Sequence, residues 1–368
     1  MIATGGEWPA GLALLRGLRW GGYRPIAALV DDDALARRSR APVAKLSVPD
    51  AEIDPEAHAL ALARLADETR AGAVLPGVEA SMRAVSDHRD AFGGAVVLGV
   101  PEPETVRRAL DKLELEGLAD RAGLDLPPTR VITGPDEYAG PFPAIVKPPT
   151  SLVTDADGNR HQLRVARAED PGALRAVLAR MPGDTAVVQP YLPAPLRTVN
   201  GVAWRGEVVC AVHKRSDRTY PPDAGVFAYG RTVEPDPALE RGCARLLAEL
   251  EWSGLFNLQF LETASGEHLL IDLNPRAYHS LALAIGAGAN LPAVWCDLLL
   301  GRPVRPVRPR IGVRFRAEEE DLRTLRASAR RGERAQVARA LLPRPRTVHA
   351  LFHARDPAPV LHLRTIVR

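Results

Sequence analysis

Lysine is almost missing from this 368-residue chain: of 48 basic residues, only Lys45, Lys112, Lys147 and Lys214 are lysines. Alanine, proline and arginine are favoured throughout, so a surface cation is written as arginine. A retained lysine then marks a position that needs a compact ammonium rather than a planar fork. Cysteine is equally sparse. Cys210, Cys243 and Cys296 are isolated, with no C-x-x-C spacing and no even set, which excludes a disulfide framework and reads as reduced core thiols. No basic segment followed by an apolar core opens the chain, so no signal peptide is expected. The most apolar stretch, Leu281 to Leu300, is interrupted by Asn290, Pro292 and Asp297 and is expected to be a buried helix pair, not a membrane span. G-x-G-x-x-G is absent too. Gly5-Gly6-Glu7-Trp8 offers no pyrophosphate turn, which disfavours a nicotinamide oxidoreductase. A cytoplasmic protein is expected.

What is present suits a multidomain enzyme. Hydrophobic residues make up 46% of the chain and charged ones 25%, enough to bury two or three real cores. Up to about residue 104, strand and helix patterns alternate: a helix over Gly11 to Trp20, strands over Pro25 to Val30, Ala73 to Leu75 and Ala95 to Leu98, and a helix over His58 to Arg70. That is an α/β parallel sheet. Ser81, Asp87, His88 and Arg89 follow its third strand region, where ligands of open sheets collect, although a solvated helix explains them as well.

The most informative segment is Phe256 to Arg276. Phe256 to Glu262 and Leu269 to Asn274 read as strands joined by a polar turn holding Gly266, a hairpin signature. Alternation puts Asp272 and Asn274 on one face and Ile271 and Leu273 on the other. Pairing Gln259 with Asp272 makes a six-residue turn, Thr263 to His268, and brings three oxygen-bearing side chains together. One carboxylate and two amide oxygens form a hard cluster suited to Mg²⁺ and phosphate, and Arg276 adds a fixed cation. Alone, an Asp-x-Asn at a strand end is ordinarily a turn device. The lysines change that weighting. Lys147 ends the apolar strand run Phe142 to Lys147, and Lys112 lies in a helical pattern carrying Leu110, Leu113 and Leu118, closed by Gly123 and the Pro127-Pro128 break. A helix lysine, a strand-end lysine and then a metal-type hairpin form an ordered constellation.

In this order the chain resembles the ATP-grasp superfamily, over residues 106 to 300. Asp111-Lys112 matches the helix lysine, and Pro143 to Lys147 the run that ends in the second lysine. Val187-Val188-Gln189-Pro190-Tyr191-Leu192 occupies the adenine-facing hinge. Gln259, Asp272, Asn274 and Arg276 occupy the magnesium hairpin; glutamine at the first position also occurs in members similar to the carbamoyl-phosphate synthase large subunit. The resemblance implies ATP and Mg²⁺ as cofactors, Lys112, Lys147, Gln189 and Leu192 as ATP contacts, and Gln259, Asp272 and Asn274 as metal ligands. Three departures stand out: Asp157-Gly158-Asn159 replaces a glycine-rich flap, Gln189 replaces the hinge glutamate, and Asn200 is nearest to an acidic residue usual beyond the hinge.

The resemblance implies an α/β architecture with three parts. Residues 1–104 form a Rossmann-like pre-ATP-grasp domain. Residues 105–302 form a two-lobed ATP-grasp domain, α+β in character, with a central lobe of about 105–188 and a C-terminal lobe of about 189–302. Residues 303–368 are a basic C-terminal extension with sixteen arginines against six acids, read mainly as solubilising surface, with an acidic partner or phosphorylated substrate as the alternative. In it, Glu318 to Asp321 open a helix and Val360 to Val367 alternate like an edge strand. Between hinge and hairpin, the strand Val208 to Val212 delivers His213, Lys214, Arg215 and Arg218 before a Pro221-Pro222 loop. Cations at a strand end beside a triphosphate neutralise charge in transfer, so His213 and Arg218 join Arg276 as catalytic candidates. The expected activity is a ligase that activates a small-molecule carboxylate as an acyl phosphate and passes it to an amine or thiol, releasing ADP and phosphate. The alternative is an ATP-binding pseudoenzyme or scaffold. No nucleic-acid or membrane partner is expected, and the assembly is open, with a homodimer among the choices.

Overall fold

The computed structural model describes residues 1–363 apart from 151, 155–159, 163–164, 182, 184, 222–224 and 343. Its first hundred residues alternate as expected: β1 (Ile2–Ala3), α1 (Pro9–Trp20), β2 (Ile26–Leu29), α2 (Leu35–Arg38), β3 (Ala44–Ser47), α3 (Pro55–Thr69), β4 (Ala73–Leu75), α4 (Glu79–Asp87) and β5 (Val97–Leu98). The sheet order is β3-β2-β1-β4-β5 and every pairing is parallel. Sheets of this kind are covered on both faces, which is why Ile26 to Leu29 and Ala73 to Leu75 are apolar without alternation and all buried. The loop after β1 closes hard on α1. A Cβ on Gly11 would stand 1.9 Å from the Gly5 carbonyl oxygen, so these glycines are used for helix packing.

Next come α5 (Pro103–Leu110) and α6 (Lys112–Ala122), two helices where one continuous pattern was expected. Asp111 is the cause: its backbone is extended and its carboxylate accepts from the Leu113 N–H, capping the second helix. Lys112 is therefore the first residue of α6, and Gly123 closes it at φ +63°. A small lobe follows, made of β6 (Arg130–Ile132), β7 (Ala144–Lys147), β8 (Leu152–Thr154), β9 (Arg160–Gln162), β10 (Ala166–Ala168), α7 (Pro171–Leu178) and β11 (Ala186–Pro190). Its antiparallel sheet, β10-β7-β11-β6, buries a separate core that includes Ile132, Val146, Leu174 and Val188. Strands β8 and β9 pair with each other, and the turn expected at Asp157-Gly158-Asn159 lies outside the described residues.

The remainder is one large lobe: β12 (Leu196–Trp204), β13 (Glu207–Tyr220), β14 (Val226–Thr232), α8 (Pro237–Glu249), β15 (Gly254–Glu262), β16 (His268–Asn274), α9 (Leu281–Gly286), α10 (Leu291–Leu299), β17 (Arg314–Arg316), α11 (Glu318–Arg330), α12 (Arg334–Leu341) and β18 (Thr347–His349). The seven strands run β16-β15-β12-β13-β14-β17-β18. On one face Phe256, Leu258 and Phe260 pack with Leu239 and Leu246 of α8 and Leu118 of α6. On the other, Val202, Cys210 and Val212 pack with Leu14 of α1, Leu281 of α9 and Trp295 of α10. The 281–300 stretch is thus the buried helix pair anticipated; among the described residues no helix is long and apolar enough to cross a membrane. All three cysteines are buried and unpaired.

The described part of residues 303–368 leaves most of its arginines at the surface, yet it is built into the large lobe rather than appended to it. Strand β17 pairs with β14, and β18 runs parallel to β17, so the segment completes the sheet. Its six acids, more than its sixteen arginines, explain how it is held. Glu318 accepts from the Leu351 and Phe352 N–H groups, Glu320 lies 3.4 Å from His279, and buried Asp321 holds both Arg218 and Arg316. Glu319 and Glu333 pair locally with Arg323 and Arg331. Asp356 reaches the N-terminal domain: Arg16, 2% exposed, puts Nε 2.8 Å from its carboxylate and donates to the carbonyls of Ala350, Leu351 and Asp356. Ser39 Oγ and the Arg40 N–H also donate to Asp356. The edge strand expected from Val360 is replaced at its start by a 3₁₀ turn, Ala358–His362, and residues 364–368 lie outside the described residues.

Removing one member of a buried ion pair leaves the other charge uncompensated, at a cost of about 3–5 kcal/mol. Asp356→Ala is expected to lose about that much in equilibrium urea unfolding; a loss under about 1 kcal/mol would show that this latch carries little of the fold.

Candidate active site

The hairpin β15–β16 forms with Gln259 directly opposite Asp272, as the sequence pattern requires. The register then slips. Phe260 pairs with Leu270 and Glu262 with His268, so the turn holds five residues, not six, and Ile271 is an extra residue in a β-bulge. The bulge also breaks the expected alternation: Leu270 and Leu273 both enter the core beside α8, whereas Ile271 packs with Leu196 and Phe227. It leaves the Ile271 carbonyl available to a side chain from the other lobe. Lys147 Nζ donates to it at 2.8 Å.

Cross-strand partners share a face, so the register aligns Asp272, Gln259, Thr198 and Lys214 in one row across β16, β15, β12 and β13. A second row places Asn274, Asn257 and Asn200 beside it. Thr198 Oγ1 donates to Asn200 Oδ1, and Asn200 Nδ2 to Asn257 Oδ1, so these buried amides are satisfied by one another. At the rim, Asn274 Nδ2 donates to Asp272 Oδ2 at 2.8 Å, and Arg276 donates to Asn274 Oδ1 at 3.1 Å and to the Ala277 carbonyl at 3.0 Å. Asp272, Asn274 and Arg276 therefore stand as one connected unit.

Both lysines singled out in the sequence come to this place. The Lys112 backbone N–H donates to the Pro149 carbonyl, two residues past the end of β7, which sets the start of α6 beside the loop after Lys147. Lys112, Asp272, Asn274 and Glu79 line one cleft between the starts of α4 and α6 and the end of β16. Burial pulls the Lys147 ammonium down to about 8; Asp272 opposes this and Lys112 adds to it. Glu79 was not anticipated. Burial raises its pKa, while Arg276, Lys112 and Arg83 pull it back, and its Oε1 is buried with no hydrogen-bond partner among the described residues. The strand-end rule did point at this part of the sheet, but to Ser81, Asp87, His88 and Arg89. Ser81 is instead locked between Thr4 and His58, and Arg89 bonds the Pro101 carbonyl and Glu102. The usable signal was the Pro76-Gly77 turn just past β4, which delivers Glu79 four residues after that strand ends.

His213 and Arg218, expected among the catalytic residues, are not part of this cluster. His213 follows the alternation to the face opposite Lys214, where Nδ1 accepts from the Asp236 N–H and Nε2 lies 3.4 Å from Glu240 of α8. Burial, with Arg197 nearby, lowers its pKa to about 4, so it is neutral at pH 7 and cannot serve as a phosphate cation. Arg218 sits past a register shift, opposite Tyr229, and its guanidinium lies 4.1 Å from that ring and 2.6 Å from Asp321 of α11. Of the cations in that run, the one aligned with Asp272 is Lys214. At the hinge, Gln189 is opposite Ile145 and Lys147 opposite Val187, so both face away from the small lobe's core. Gln189 Nε2 donates to Thr129 Oγ1 at 2.9 Å, and the Leu192 carbonyl accepts from the Ala194 N–H.

Among the described residues, no group of three His, Cys, Asp or Glu side chains gathers to hold a metal. The available donors are the Asp272 carboxylate with amide oxygens, and they suit Mg²⁺, which keeps several waters and takes phosphate oxygens alongside one or two carboxylates. Arg276 occupies Asn274 Oδ1. Asp272, Gln259 and Asn274 are the residues that would hold the ion, since Asn274 Oδ1 keeps a second lone pair beside its bond from Arg276.

Residues 183–321 match a family model described as ATP-grasp in the biosynthetic pathway with Ter operon. No curated protein sequence matches the chain. Solved structures share its fold, three of which follow. Biotin carboxylase from Campylobacter jejuni, in complex with β,γ-ATP, superposes with a TM-score of 0.64 at 15% identity, over 85% of this chain and 74% of that one. L-amino acid ligase from Bacillus licheniformis gives 0.61 at 14%, over 84% and 77%. N5-carboxyaminoimidazole ribonucleotide synthetase from Thermus thermophilus gives 0.61 at 19%, over 84% and 81%.

The lowered pKa of Lys147 has a measurable consequence for a phosphate ligand. A phosphate held by Lys147 would need its ammonium form, which in the free protein is present below about pH 8 and lost above it. Affinity for a non-hydrolysable ATP analogue with Mg²⁺ is expected to be flat from about pH 6.5 to 7.5 and then to fall up to about tenfold per pH unit. Lys147→Met should weaken binding and flatten this profile in calorimetric titration; an unchanged slope would mean that another group titrates.

Proposed function

We propose that this protein, whose residues 183–321 match an ATP-grasp family model and whose fold is that of the ATP-grasp structures it superposes on, is an ATP- and Mg²⁺-dependent ligase that activates a carboxylate and joins it to an amine or thiol. One observation carries the reading: Lys112, Asp272 and Asn274 line one cleft with Glu79 of the N-terminal domain, whose buried Oε1 has no hydrogen-bond partner among the described residues, and Lys147 and Arg276 adjoin it through Ile271 and Asn274. That grouping supports cations for phosphate, a metal donor set and an anion for a second substrate acting at one place. In this reading Lys112 and Lys147 hold the phosphates and Gln189 and Leu192 face the adenine. Asp272, Gln259 and Asn274 would hold Mg²⁺, which would supply neutralisation of the phosphate oxygens.

No nucleophilic side chain is needed. A carboxylate oxygen of the substrate attacks the γ-phosphorus, the bond from that phosphorus to the ADP oxygen breaks, and ADP leaves. In this reading Arg276, held beside Asn274, neutralises the charge that grows on the transferred phosphoryl group. The amine or thiol then attacks the acyl carbon, the bond from carbon to the phosphate oxygen breaks, and the nucleophile loses a proton. In this reading Glu79, which lines the same cleft, orients an acceptor ammonium, and burial, which raises its pKa, favours proton uptake from it. The protein's contribution is positioning and electrostatics.

A second reading, nucleotide binding without turnover, is favoured by the use of Gln189 Nε2 on Thr129 and by a single carboxylate in the metal set. ADP release separates the two. Purified protein with ATP, Mg²⁺ and pools of carboxylic and amino acids is expected to release ADP and phosphate only when both an acid and a nucleophile are added. Asp272→Asn should cut that release by about a hundredfold or more while leaving the melting temperature nearly unchanged. ATP binding with no ADP release from any pool would select the second reading, and full activity in Asp272→Asn would remove the metal assignment.

A further inference from the structure

Lys112 and Lys147 lie at the cleft, and Lys45 donates to the Arg37 carbonyl within the N-terminal domain. The fourth lysine has no part in the scheme above. Lys214 is 0% exposed in the middle of β13, in the same cross-strand row as Gln259 and Asp272. Its Nζ donates to the Ser280 carbonyl at 2.9 Å, lies 3.3 Å from Ser280 Oγ and sits 4.5 Å from the centroid of the Tyr278 ring. No carboxylate pairs with it among the described residues, and burial alone drives its pKa well below the ordinary value. An ammonium buried without a counter-charge is costly, and an apolar residue of the same length would be cheaper there. In a chain that writes nearly all its cations as arginine, this position keeps a point donor with a slender stem.

What it holds is the segment that leaves the metal hairpin. Arg276 is bonded to the Ala277 carbonyl and to Asn274, which is bonded to Asp272. Tyr278 and Ser280, the two residues Lys214 touches, continue that segment into α9. We propose that Lys214 is a positioning residue for Arg276. It pins the 277–280 turn onto β13, and the pinned turn fixes the Arg276 guanidinium beside Asn274 and Asp272. The proposal rests on the ligase reading in that it assigns Arg276 to the transferred phosphoryl group.

The test compares affinities for Mg·ADP and for Mg·AMPPNP by calorimetry, so it needs no turnover and no identified acid. An arginine that contacts the γ-phosphoryl group favours AMPPNP over ADP, and Arg276→Ala should reduce that preference about five- to tenfold. Lys214→Met should fold with a melting temperature at or near that of the parent and reduce the preference by a similar factor. The double variant should lose no more than Arg276→Ala alone, because the lysine acts through the arginine. Ser280→Ala, which removes only the hydroxyl acceptor, should show about a twofold version of the same defect, and it decides the matter if Lys214→Met fails to fold. An unchanged preference in Lys214→Met or, if that variant is unfolded, in Ser280→Ala overturns the proposal, as does a loss that adds to that of Arg276→Ala. A parent protein that binds neither nucleotide overturns the ligase reading and this inference with it, whereas a parent that discriminates beside a Lys214→Met that does so equally well overturns this inference alone.

Discussion

A buried ammonium resting on a backbone carbonyl joins the two walls of the cleft. Lys147 ends a strand of the small lobe, and its Nζ reaches the Ile271 carbonyl of the large lobe's hairpin. The contact exists because Ile271 is an extra residue, turned out of the ladder by the bulge. A regular hairpin would spend that carbonyl on strand pairing. Desolvation makes the lysine an eager donor to any anion that enters, and Asp272, next to Ile271 in sequence, keeps it cationic near neutral pH. Lysine, carbonyl and carboxylate thus stand together before any ligand arrives, which is the preorganisation that phosphoryl transfer depends on.

Much of this was legible because it depends on local pattern, alternation in one place and unbroken apolar runs in others. Gln259 opposite Asp272, the parallel sheet of the first hundred residues and the helix pair after residue 280 all follow from alternation and apolar runs. The scarcity of lysine picked out Lys112 and Lys147 without any geometry. Alternation also held the answer to the run from His213 to Arg218. Neighbours on a strand face opposite ways, so choosing His213 excluded Lys214, and the choice fell on the wrong face. Arg218 was beyond reach, since the register shift ahead of it leaves no mark in residue type. The extra residue at 271 is equally silent, because Leu270, Ile271 and Leu273 are all good strand formers.

The C-terminal segment escapes a sequence reading for a different reason. Its arginines dominate the composition, and composition describes surface. Attachment is decided by the rarer partner. Asp321, 1% exposed, holds two arginines from two strands, and Asp356 closes on Arg16, more than three hundred residues away in sequence. Pairs so distant in the chain cannot be assigned by local pattern. Asp111 shows the local counterpart: a capping residue inside an apolar period that looks unbroken on either side.

That clasp at Arg16 has a mechanical side. The N-terminal sheet and the large lobe share continuous apolar clusters through α1, α9 and α10, and the C-terminal segment rivets the same two bodies together. The small lobe, by contrast, has a core of its own, in which, among the described residues, Ile132, Ala144, Val146 and Val188 cluster with residues of the same lobe. The molecule is therefore a heavy jaw and a light one. The two units are tied at the cleft by the Lys147 ammonium on the Ile271 carbonyl, a contact that would have to break if they parted.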